Sequence, residues 1–576
     1  MTLYKATDAA EYESARSSIK LSDYEFFYTA RSQADFTDGE IYNQIVGDIS
    51  AYKYANPDEE DSTLLGTKIN ILDVWKHISL VFIDALRDVE AELRKPKNPI
   101  RAIVDTIEGD IEAADIGDLK DKIIELNRKL SSIPEISSIG SHINSKLIEM
   151  IGTVYSPDIK LESRLKEDFA TLARYLTVTP ADQQDIDLLG LGHLNILYIA
   201  LKLVEFDANR NHEVLNIMVI EEPEAHIHTH IQKTLFNNLS VTQDYTQVIM
   251  STHSTHLSEV ADIEKVNVMK KLGQRAVVMK PSTGLSSFGE LQFKDKNFIT
   301  SLTRYLDAKR SVLLFSKGVL LVEGDGEEIL IPALTKAVLG VSLDELGIGL
   351  INIGGIAFEN IACIFDERRL QRNCAIITDS DAVVDGATKS NAEAAKRGQT
   401  RKTKLDALFA KNPYVEAFYA LHTFEVDFAD STNNRSFIKD IIKGTYKQKD
   451  KIDKLLTALD SKKESERYDA VLSVAERIQK GWYATRLATE VDYTAIIPRY
   501  ILEALAFASR DIIDEQVIWK MIKYAFNICS EENDKDLIRQ MDDADTHDKR
   551  CAFVLEFRKA FSDDMVTEFL NEVESK

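Results

Sequence analysis

Acidic residues that follow two apolar stretches are the most chemically informative feature of this sequence. In LLVEGDGEEIL, residues 320–330, an apolar run ends at Glu323, and Glu327 follows one helical turn later. In AIITDSDA, Asp379 and Asp381 come at the end of another apolar run. Because carboxylates repel one another, four of them around one point favour a hard, oxygen-seeking cation such as Mg²⁺ or Mn²⁺ between them.

The four acids can meet if the runs before them are parallel strands of one sheet. The carboxyl ends of such strands share a crevice, and alternate residues of a strand share a face, so Asp379 and Asp381 are expected to point the same way. A dinucleotide-binding loop is an alternative, but GDGEEI lacks the third glycine and its acids would repel a pyrophosphate. A solvated acidic surface is the stronger alternative, since charged runs usually face water.

A second group of motifs is typical of an ATPase. IMVIEEPEAHIH places Glu221 and Glu222 at the end of an apolar run, where one carboxylate would hold magnesium and the next would polarise water. VIMSTHS ends in His253, which would contact a γ-phosphate. LLGLGHLN resembles an ABC-type signature whose Gly190 and Gly192 would approach phosphates bound to a partner subunit. Each motif alone also fits an ordinary strand end, but their order and spacing favour the ATPase.

The phosphate loop that such an ATPase requires is missing. No GxxxxGK[ST] string occurs, and LLGTKIN at residues 64–70 lacks the first glycine and the lysine–hydroxyl pair. Either the chain begins downstream of the loop or the loop was lost. Binding of ATP in the usual way is therefore not expected, and the chain alone should have little ATPase activity. His226 and His228 would diverge on a helix, which disfavours a metal pair there.

The composition limits the class of protein. The chain has 576 residues, 44% of them hydrophobic, and a net charge of −24, so we expect several soluble domains. Its four cysteines are scattered without a CxxC pair, and it shows neither a membrane span nor a secretory signal. These features predict a cytoplasmic protein without a membrane partner. Strong net acidity disfavours a broad nucleic-acid coat but leaves room for a local basic groove.

Fully apolar strand-like runs alternate with helical segments, which predicts an α/β fold with parallel sheets covered on both faces. One such unit contains VLNIMVI and TQVIMS, and a second contains VLLV, IGLINI and CAIIT. From residue 100 to about 176 the spacing of apolar residues is helical, with charges on one side, which suits an arm or a dimerising insertion. From about Phe437 onwards the chain also reads as helices.

The EG pair after the first strand and the later DxD resemble a Toprim domain. An ABC-type ATPase followed by Toprim resembles the OLD (overcoming lysogenization defect) family of nucleases, which includes the nuclease subunit of the Gabija anti-phage system. The resemblance extends from the GLGHLN helix to beyond Tyr483. It implies an ATPase domain that is divided by an insert: an N-terminal part at 1–95, which here lacks the phosphate loop, a helical dimerisation insert at 96–178 and the rest of the ATPase at 179–308. A Toprim nuclease core at 309–435 and a helical region that completes the nuclease at 436–576 would follow.

The resemblance also implies the roles of individual residues. It makes Glu323, Glu327, Asp379 and Asp381 metal ligands and adds Glu425, in ALHTFEVDFA, to them. Lys480, in QKGWYATRLA, matches the lysine of the KGxxA helix start and would stabilise charge on the scissile phosphate. An ordinary exposed lysine is the alternative. Two metal ions would divide the work: one activates water and the other stabilises the leaving oxygen.

A basic run follows the DxD motif. AAKRGQTRKTK contains five cationic side chains, which suggest a loop that tracks DNA phosphates. A solvated linker is the alternative, since charged segments often have no ligand. The cationic residues are Lys396, Arg397, Arg401, Lys402 and Lys404.

These features together predict a Mg²⁺- or Mn²⁺-dependent DNA endonuclease that forms a dimer or a larger homo-oligomer. The resemblance implies a role in anti-phage defence and suggests a second subunit as partner, such as a helicase or a retron element. Two rival functions stay open: a non-catalytic ATPase clamp of the chromosome-maintenance type in DNA repair, and a Toprim topoisomerase. DSDAV lacks the third acid of Toprim topoisomerases, which disfavours a topoisomerase. The zinc-ribbon cysteines of Toprim primases are absent, which disfavours a primase.

Overall fold

The computed structural model divides the chain into two compact units, Met1–Thr252 and His253–Lys576. The second half of the predicted insert and the first two residues of LLGLGHLN lie outside the described residues. The structure describes all residues except 1–2, 24–27, 31, 49, 57–61, 71–76, 86–87, 96–97, 108–110, 152–162, 164, 166–189, 210–214, 240–245, 259–260, 273–274, 307–308, 384–388, 530–534 and 576.

The strands of the described residues form four sheets: one of four strands, one of three strands and two of two strands. They are β1 (Tyr28–Ala30), β2 (Thr67–Ile69), β3 (Ile78–Ile83), β4 (Leu215–Glu221), β5 (Thr246–Ser251), β6 (Val268–Leu272), β7 (Arg275–Met279), β8 (Gly318–Val322), β9 (Ile348–Asn352), β10 (Cys374–Asp379) and β11 (Val415–Ala420).

Helices surround these sheets and make up the carboxyl-terminal part. In the first unit they are α1 (Ala9–Ser18), α2 (Gly39–Ile45), α3 (Ser62–Leu65), α4 (Val89–Arg94), α5 (Pro99–Ile107), α6 (Ala113–Ser131), α7 (Pro134–Ile151), α8 (Leu191–Asn209) and α9 (Thr229–Leu239). In the second unit they are α10 (Thr255–Ser258), α11 (Leu285–Phe288), α12 (Phe298–Tyr305), α13 (Asp325–Leu339), α14 (Glu359–Ala362), α15 (Lys389–Phe409), α16 (Phe424–Phe428), α17 (Thr432–Thr445), α18 (Lys449–Leu459), α19 (Glu464–Ile478), α20 (Lys480–Glu490), α21 (Arg499–Ser509), α22 (Glu515–Cys529), α23 (Lys535–Asp542), α24 (His547–Ala560) and α25 (Met565–Ser575).

The first unit contains a parallel sheet in the order β3-β4-β5. Its core joins Met218 and Ile220 of β4 to Tyr198 and Ile199 of α8. The glycine-led helix, the two apolar strands and the helix between them are thus present as predicted. Two further helices, α6 and α7, follow one another in the insert and contact each other.

The second unit is built on a four-stranded parallel sheet in the order β11-β10-β8-β9. Side chains of β8 alternate between two cores: Leu320 and Val322 face one, and Val319 and Leu321 face the other. Every residue of β8 is buried, which explains why the strand is a continuous apolar run. The predicted α/β class with parallel sheets is confirmed.

Beyond β11 the described chain is entirely helical, as predicted for the carboxyl-terminal region. Helices α13 and α21 pack against the sheet and form the larger core of the unit with α17, α22 and α25. A membrane-spanning candidate, judged by length and apolar character, does not occur among the helices of the described residues.

Candidate metal centre at the carboxyl ends of the strands

Glu323 directly follows β8, and the neighbouring strand fixes its carboxylate. Its Oε2 accepts a hydrogen bond from the hydroxyl of Thr378 at 2.9 Å and one from the backbone N–H of Asp379 at 3.4 Å. Both donors belong to β10, which pairs with β8 in parallel. The parallel register therefore brings Glu323 and Asp379 together at the same edge of the sheet.

Glu327 lies in the first turn of α13, which begins two residues after Glu323. Its side chain is buried, with a relative exposure of 7%. Burial raises the pKa of Glu327 to about 7, and the charges of Glu425 and Glu323 add to the rise. A carboxylate in this position is poorly solvated and surrounded by like charge, which makes a cation a favourable neighbour.

Asp379 is the last residue of β10, and four other acids lie near enough to act on its carboxylate. Burial raises the pKa of Asp379 well above its usual value, and the charges of Glu327, Glu323, Glu425 and Asp381 raise it further. Asp381 lies beyond the strand, with a φ of 51°. The prediction that the two aspartates share one strand face was wrong, because β10 ends at Asp379 and the chain then turns through the left-handed region.

Glu425 and Lys480 form an ion pair between two helices of the carboxyl-terminal region. Glu425 lies in α16 and is 5% exposed, and its Oε2 accepts a hydrogen bond from Lys480 Nζ at 3.2 Å. Burial alone would lower the pKa of Lys480, but Glu425, Asp379 and Glu327 together raise it. Lys480 therefore stays cationic beside the acids. Helix α20 begins at this lysine, as the sequence predicted, after Gln479 with a φ of 75°.

The basic run after the DxD motif lies on helix α15, so the expectation of a loop was wrong. Lys396 and Arg397 are exposed near the first half of the helix. Lys402 lies 4.6 Å from the ring centre of Tyr419, and Lys404 pairs with Glu359. A long helix is favoured here because alanine, lysine, arginine and glutamine are strong helix formers.

Arg401 points inwards from the same helix and is only 10% exposed. Its Nη2 lies 3.8 Å from Oε2 of Glu323 and 3.8 Å from Oδ2 of Asp381. The same nitrogen donates a hydrogen bond to the backbone carbonyl of Asp379. Arg401 thus lies beside the acids, whereas the sequence alone predicts that it contacts DNA phosphates with the other cations of the run.

The donor chemistry of this cluster fits a hard divalent cation. Five carboxylates act on one another electrostatically: one follows β8, two lie at and just beyond the end of β10, and one each lies in α13 and α16. Carboxylate oxygens are the ligands that Mg²⁺ and Mn²⁺ prefer. Across the described residues, however, no three acidic, histidine or cysteine side chains already form an arrangement that could enclose a metal ion. The acids lie near one another, and Nη2 of Arg401 lies 3.8 Å from a carboxylate oxygen of both Glu323 and Asp381.

The ATPase-like residues of the first unit also lie at the carboxyl end of a parallel sheet. Glu221 ends β4, opposite Ser251 of β5, and its Oε2 accepts a hydrogen bond from the backbone N–H of Ala85 at 3.4 Å. Glu222 has a φ of 41° and its N–H donates to the carbonyl of Ser251 at 2.9 Å. Paired carboxylates after β4 therefore match the predicted position.

The glycine-led helix α8 packs directly on the turn after β4. A Cβ on Gly192 would lie 2.6 Å from the carbonyl oxygen of His226, so glycine is required for this close approach. The side-chain amide of Asn195 donates to the carbonyl of Ala225 at 2.6 Å. A Cβ on Gly190 would meet open space, and His253 follows β5 by two residues and is exposed.

Sequence reasoning missed two buried residues near the acid cluster. Thr378 holds the carboxylate of Glu323, and its only signal was its place between CAII and the first acid of the DxD motif. Tyr500 lies in α21, and its buried hydroxyl has no hydrogen-bond partner among the described residues. Burial raises the pKa of Tyr500, and so does the charge of Asp379. No local pattern marks a tyrosine so far along the chain.

Comparison with known families identifies two domain matches in the chain. Residues 314–381 match the family described as "Overcoming lysogenization defect protein-like, TOPRIM domain", and residues 20–257 match the AAA ATPase domain family. The chain is 22% identical over 359 residues to "Endonuclease GajA" of Bacillus cereus (strain VD045), which covers 62% of this chain and 57% of that protein. It is 28% identical over 180 residues to "OLD nuclease" of Thermus scotoductus, covering 30% of this chain and 31% of that protein.

Among solved structures, the chain is similar to the C-terminal region of the Burkholderia pseudomallei OLD protein. The identity is 25%, and the match covers 34% of this chain and 100% of that one, with a TM-score of 0.28. The chain spans little more than half the length of the GajA relative and about a third of the OLD nuclease. Toprim and ATPase domains generally use divalent metal ions. The chain thus joins an AAA ATPase domain to an OLD-like Toprim domain, which confirms its resemblance to the OLD-family nucleases.

Proposed function

We propose that this chain is a divalent-metal-dependent DNA endonuclease of the OLD type, with its active site at the carboxyl ends of β8 and β10. The observation that carries the proposal is the convergence of acids on Asp379, whose pKa is raised by burial and by four other carboxylates. A cluster of buried like charges is unfavourable unless cations are held there. The matched relatives are named as nucleases, which agrees with this chemistry.

The metal ligands in this proposal are the five converging carboxylates. They would hold Mg²⁺ or Mn²⁺, and two ions would supply an activated water and a stabilised leaving oxygen. Two features hold ligands in place: the hydroxyl of Thr378 donates a hydrogen bond to one oxygen of Glu323, and α13 buries Glu327 in its first turn. The ligands are Glu323, Glu327, Asp379, Asp381 and Glu425.

Lys480 is the proposed group that contacts the scissile phosphate. Its side chain is about half exposed while its Nζ remains hydrogen-bonded to the buried Glu425. The ammonium is therefore held beside the acids and is still accessible to a substrate. A fixed positive charge that faces the phosphate would stabilise the additional negative charge of the transition state.

DNA phosphates are expected to contact the exposed cations of α15. Lys396 and Arg397 lie on the outer side of this helix, while Arg401 of the same helix reaches the acid cluster. Lys402 and Lys404 carry further positive charge along it, although each already has an intramolecular partner. The exposed cations of this helix support the proposal of sequence-independent phosphate contacts beside the site of cleavage.

Nicking of supercoiled plasmid DNA tests the proposal. The wild-type chain should nick DNA with Mg²⁺ or Mn²⁺ and stop when EDTA is added. The double variant Glu323→Ala/Asp379→Ala should be inactive, whereas Glu328→Gln, next to Glu327 but paired with Lys309, should remain active. Cleavage that persists in the double variant, or in EDTA, would show that this cluster is not the nuclease site.

The ATPase domain is proposed to regulate the nuclease. In this role Glu221 and Glu222 would hold and activate the reactants, His253 would contact the γ-phosphate, and Gly190 and Gly192 would approach a nucleotide of a second subunit. Because the sequence lacks a phosphate loop, we expect little ATP turnover by the chain alone. Turnover that disappears in Glu222→Gln would contradict this expectation.

Self-association is proposed to involve the insert that contains α6 and α7. Both helices expose apolar side chains along most of their length, among them Leu126, Ile139 and Ile148. Exposed apolar residues on long helices favour a protein partner, and a second copy of this chain is the simplest one. Light scattering after gel filtration should give a dimer or a larger assembly. A role in anti-phage defence with a second subunit remains part of the proposal and rests on the resemblance to the OLD family alone.

A further inference from the structure

Among the described side chains of helix α15, Arg401 is a cation that points into the acid cluster. Its side chain is 10% exposed, and its Nη2 lies 3.8 Å from Glu323 and 3.8 Å from Asp381. It also donates to the backbone carbonyl of Asp379. These three contacts hold the guanidinium between two of the proposed metal ligands. Its positive charge is permanent because an arginine does not lose its proton in a protein.

Close packing of α15 keeps the guanidinium in this position. A Cβ on Gly398 would lie 2.2 Å from the carbonyl oxygen of Ser380, in the middle of the DxD turn. The helix backbone can approach the turn so closely only because residue 398 is glycine. Gly398 lies one turn before Arg401, so the same contact fixes both the turn and the arginine. The cation is therefore built into the fold of the site.

The charges at the site show what a fixed cation would do. With Glu323, Glu327, Asp379, Asp381 and Glu425 ionised, the cluster carries five negative charges, and Lys480 and Arg401 supply two positive ones. The balance is three negative charges. One divalent ion leaves one negative charge, but a second ion makes the cluster positive. Without the arginine the balance would be four negative charges, which two divalent ions neutralise.

We propose that Arg401 is a positioning residue that serves as a resident cation of the metal centre and limits it to one tightly bound divalent ion when no DNA is bound. The inference rests on the proposed metal site and adds a control on its occupancy. A second ion would have to enter next to a positive charge that lies within about 4 Å of two of its ligands, and at such distances the repulsion is strong even with partial solvent screening.

Binding of Mn²⁺ to the full chain at pH 8 without DNA tests this inference. Calorimetry and the electron paramagnetic resonance signal of free Mn²⁺ both give the number of ions bound and their dissociation constants. The double variant Glu323→Ala/Asp379→Ala identifies the ions that belong to this centre. Compared with it, we expect one additional tight ion in the wild type and two in Arg401→Gln. The dissociation constant of the second ion should fall by about tenfold or more in the variant.

Two matched variants separate charge from folding. Arg397→Gln removes an exposed arginine of the same helix and should bind Mn²⁺ like the wild type. Arg401→Lys keeps the positive charge and should also bind one tight ion, and this comparison remains valid if Arg401→Gln fails to fold in EDTA. A second tight ion in Arg401→Lys, or unchanged or weaker binding in a folded Arg401→Gln, would overturn the inference.

The same titrations distinguish the two proposals. If the double variant binds as many Mn²⁺ ions as the wild type, the acid cluster is not a metal centre and the proposed nuclease site fails. If the double variant loses its ion but Arg401→Gln behaves like the wild type, the metal centre stands and only the role of Arg401 is wrong.

Discussion

Replacement of the buried Glu327 by glutamine should stabilise the metal-free protein while it abolishes DNA cleavage. The pKa of Glu327 is raised from 4.5 to about 7, mainly because burial disfavours the charged form. The folded protein therefore holds a proton that the unfolded chain releases between pH 4.5 and 7. Stability falls as the pH rises through this window, and above pH 7 the ionised carboxylate destabilises the fold by its full amount.

The size of the effect follows from the shift. A difference of one pKa unit corresponds to about 1.4 kcal/mol, so ionised Glu327 costs about 3 kcal/mol at pH 8 and less than about 1 kcal/mol at pH 5. Glutamine has nearly the same shape and no charge. Glu327→Gln should therefore gain most of this free energy at pH 8 and little at pH 5.

Calorimetry of the full chain in EDTA measures this difference. The thermal midpoint of Glu327→Gln should exceed that of the wild type by several degrees at pH 8, and the two should nearly coincide at pH 5. Mn²⁺ should raise the midpoint of the wild type but have less effect on the variant, which has lost a ligand. The variant should not nick plasmid DNA.

Glu328→Gln is the matched control. Glu328 is the next residue of the helix, but it accepts hydrogen bonds from Lys309 and Asn352, which lower its pKa although partial burial opposes them. Its replacement should give no gain in stability at pH 8. If Glu327→Gln is no more stable than the wild type at pH 8, or if its gain in stability is as large at pH 5, the ionised carboxylate of Glu327 does not destabilise the fold.

Three further changes test other parts of the site. Gly398→Ala should lower nicking at least tenfold and reduce the thermal midpoint, because its Cβ would lie 2.2 Å from the Ser380 carbonyl; an active, stable variant would show that the turn can adapt. Lys480→Met should lower the single-turnover cleavage rate about a hundredfold or more while Mn²⁺ binds at least as tightly as in the wild type, because a positive charge is lost; rates within threefold of the wild type would exclude a role at the phosphate. Arg397→Glu should weaken binding to a DNA oligonucleotide and reduce the slope of log affinity against log salt, whereas an unchanged slope would remove this residue from the interface.

The parallel sheet of the second unit could be predicted because its strands are buried on both faces. An apolar run such as that before Glu323 has no polar face to offer to water, so only a covered, parallel strand accommodates it. The acids after β8 and β10 then had to meet, since strands of this kind end at one edge. The approximate place of the metal centre therefore follows from local pattern and one topological rule.

The details of the site could not be predicted because they depend on contacts between distant parts of the chain. Asp381 was expected to continue β10, yet a turn with a positive φ follows Asp379, and nothing in DSDAV marks that turn in the way a glycine would. The charge of the basic run predicts a loop, but its helix-forming residues prevail and the run forms part of α15. The inward direction of Arg401 depends on Gly398, whose close contact with Ser380 only the folded chain reveals.

The unfavourable charges of the centre are tolerated because the elements that carry them are anchored in large cores. Helix α13 carries Glu327, and its next turns bury Leu330, Ile331 and Leu334 almost completely. Each such side chain contributes about 1.5–3 kcal/mol through burial, so one helix can offset the roughly 3 kcal/mol lost when Glu327 is ionised. The sheet likewise holds Glu323 by backbone register, which side-chain repulsion alone cannot shift. A fold that keeps its acids together without help can hold a metal centre ready for its ions, and removal of a buried carboxylate should then raise stability as activity is lost.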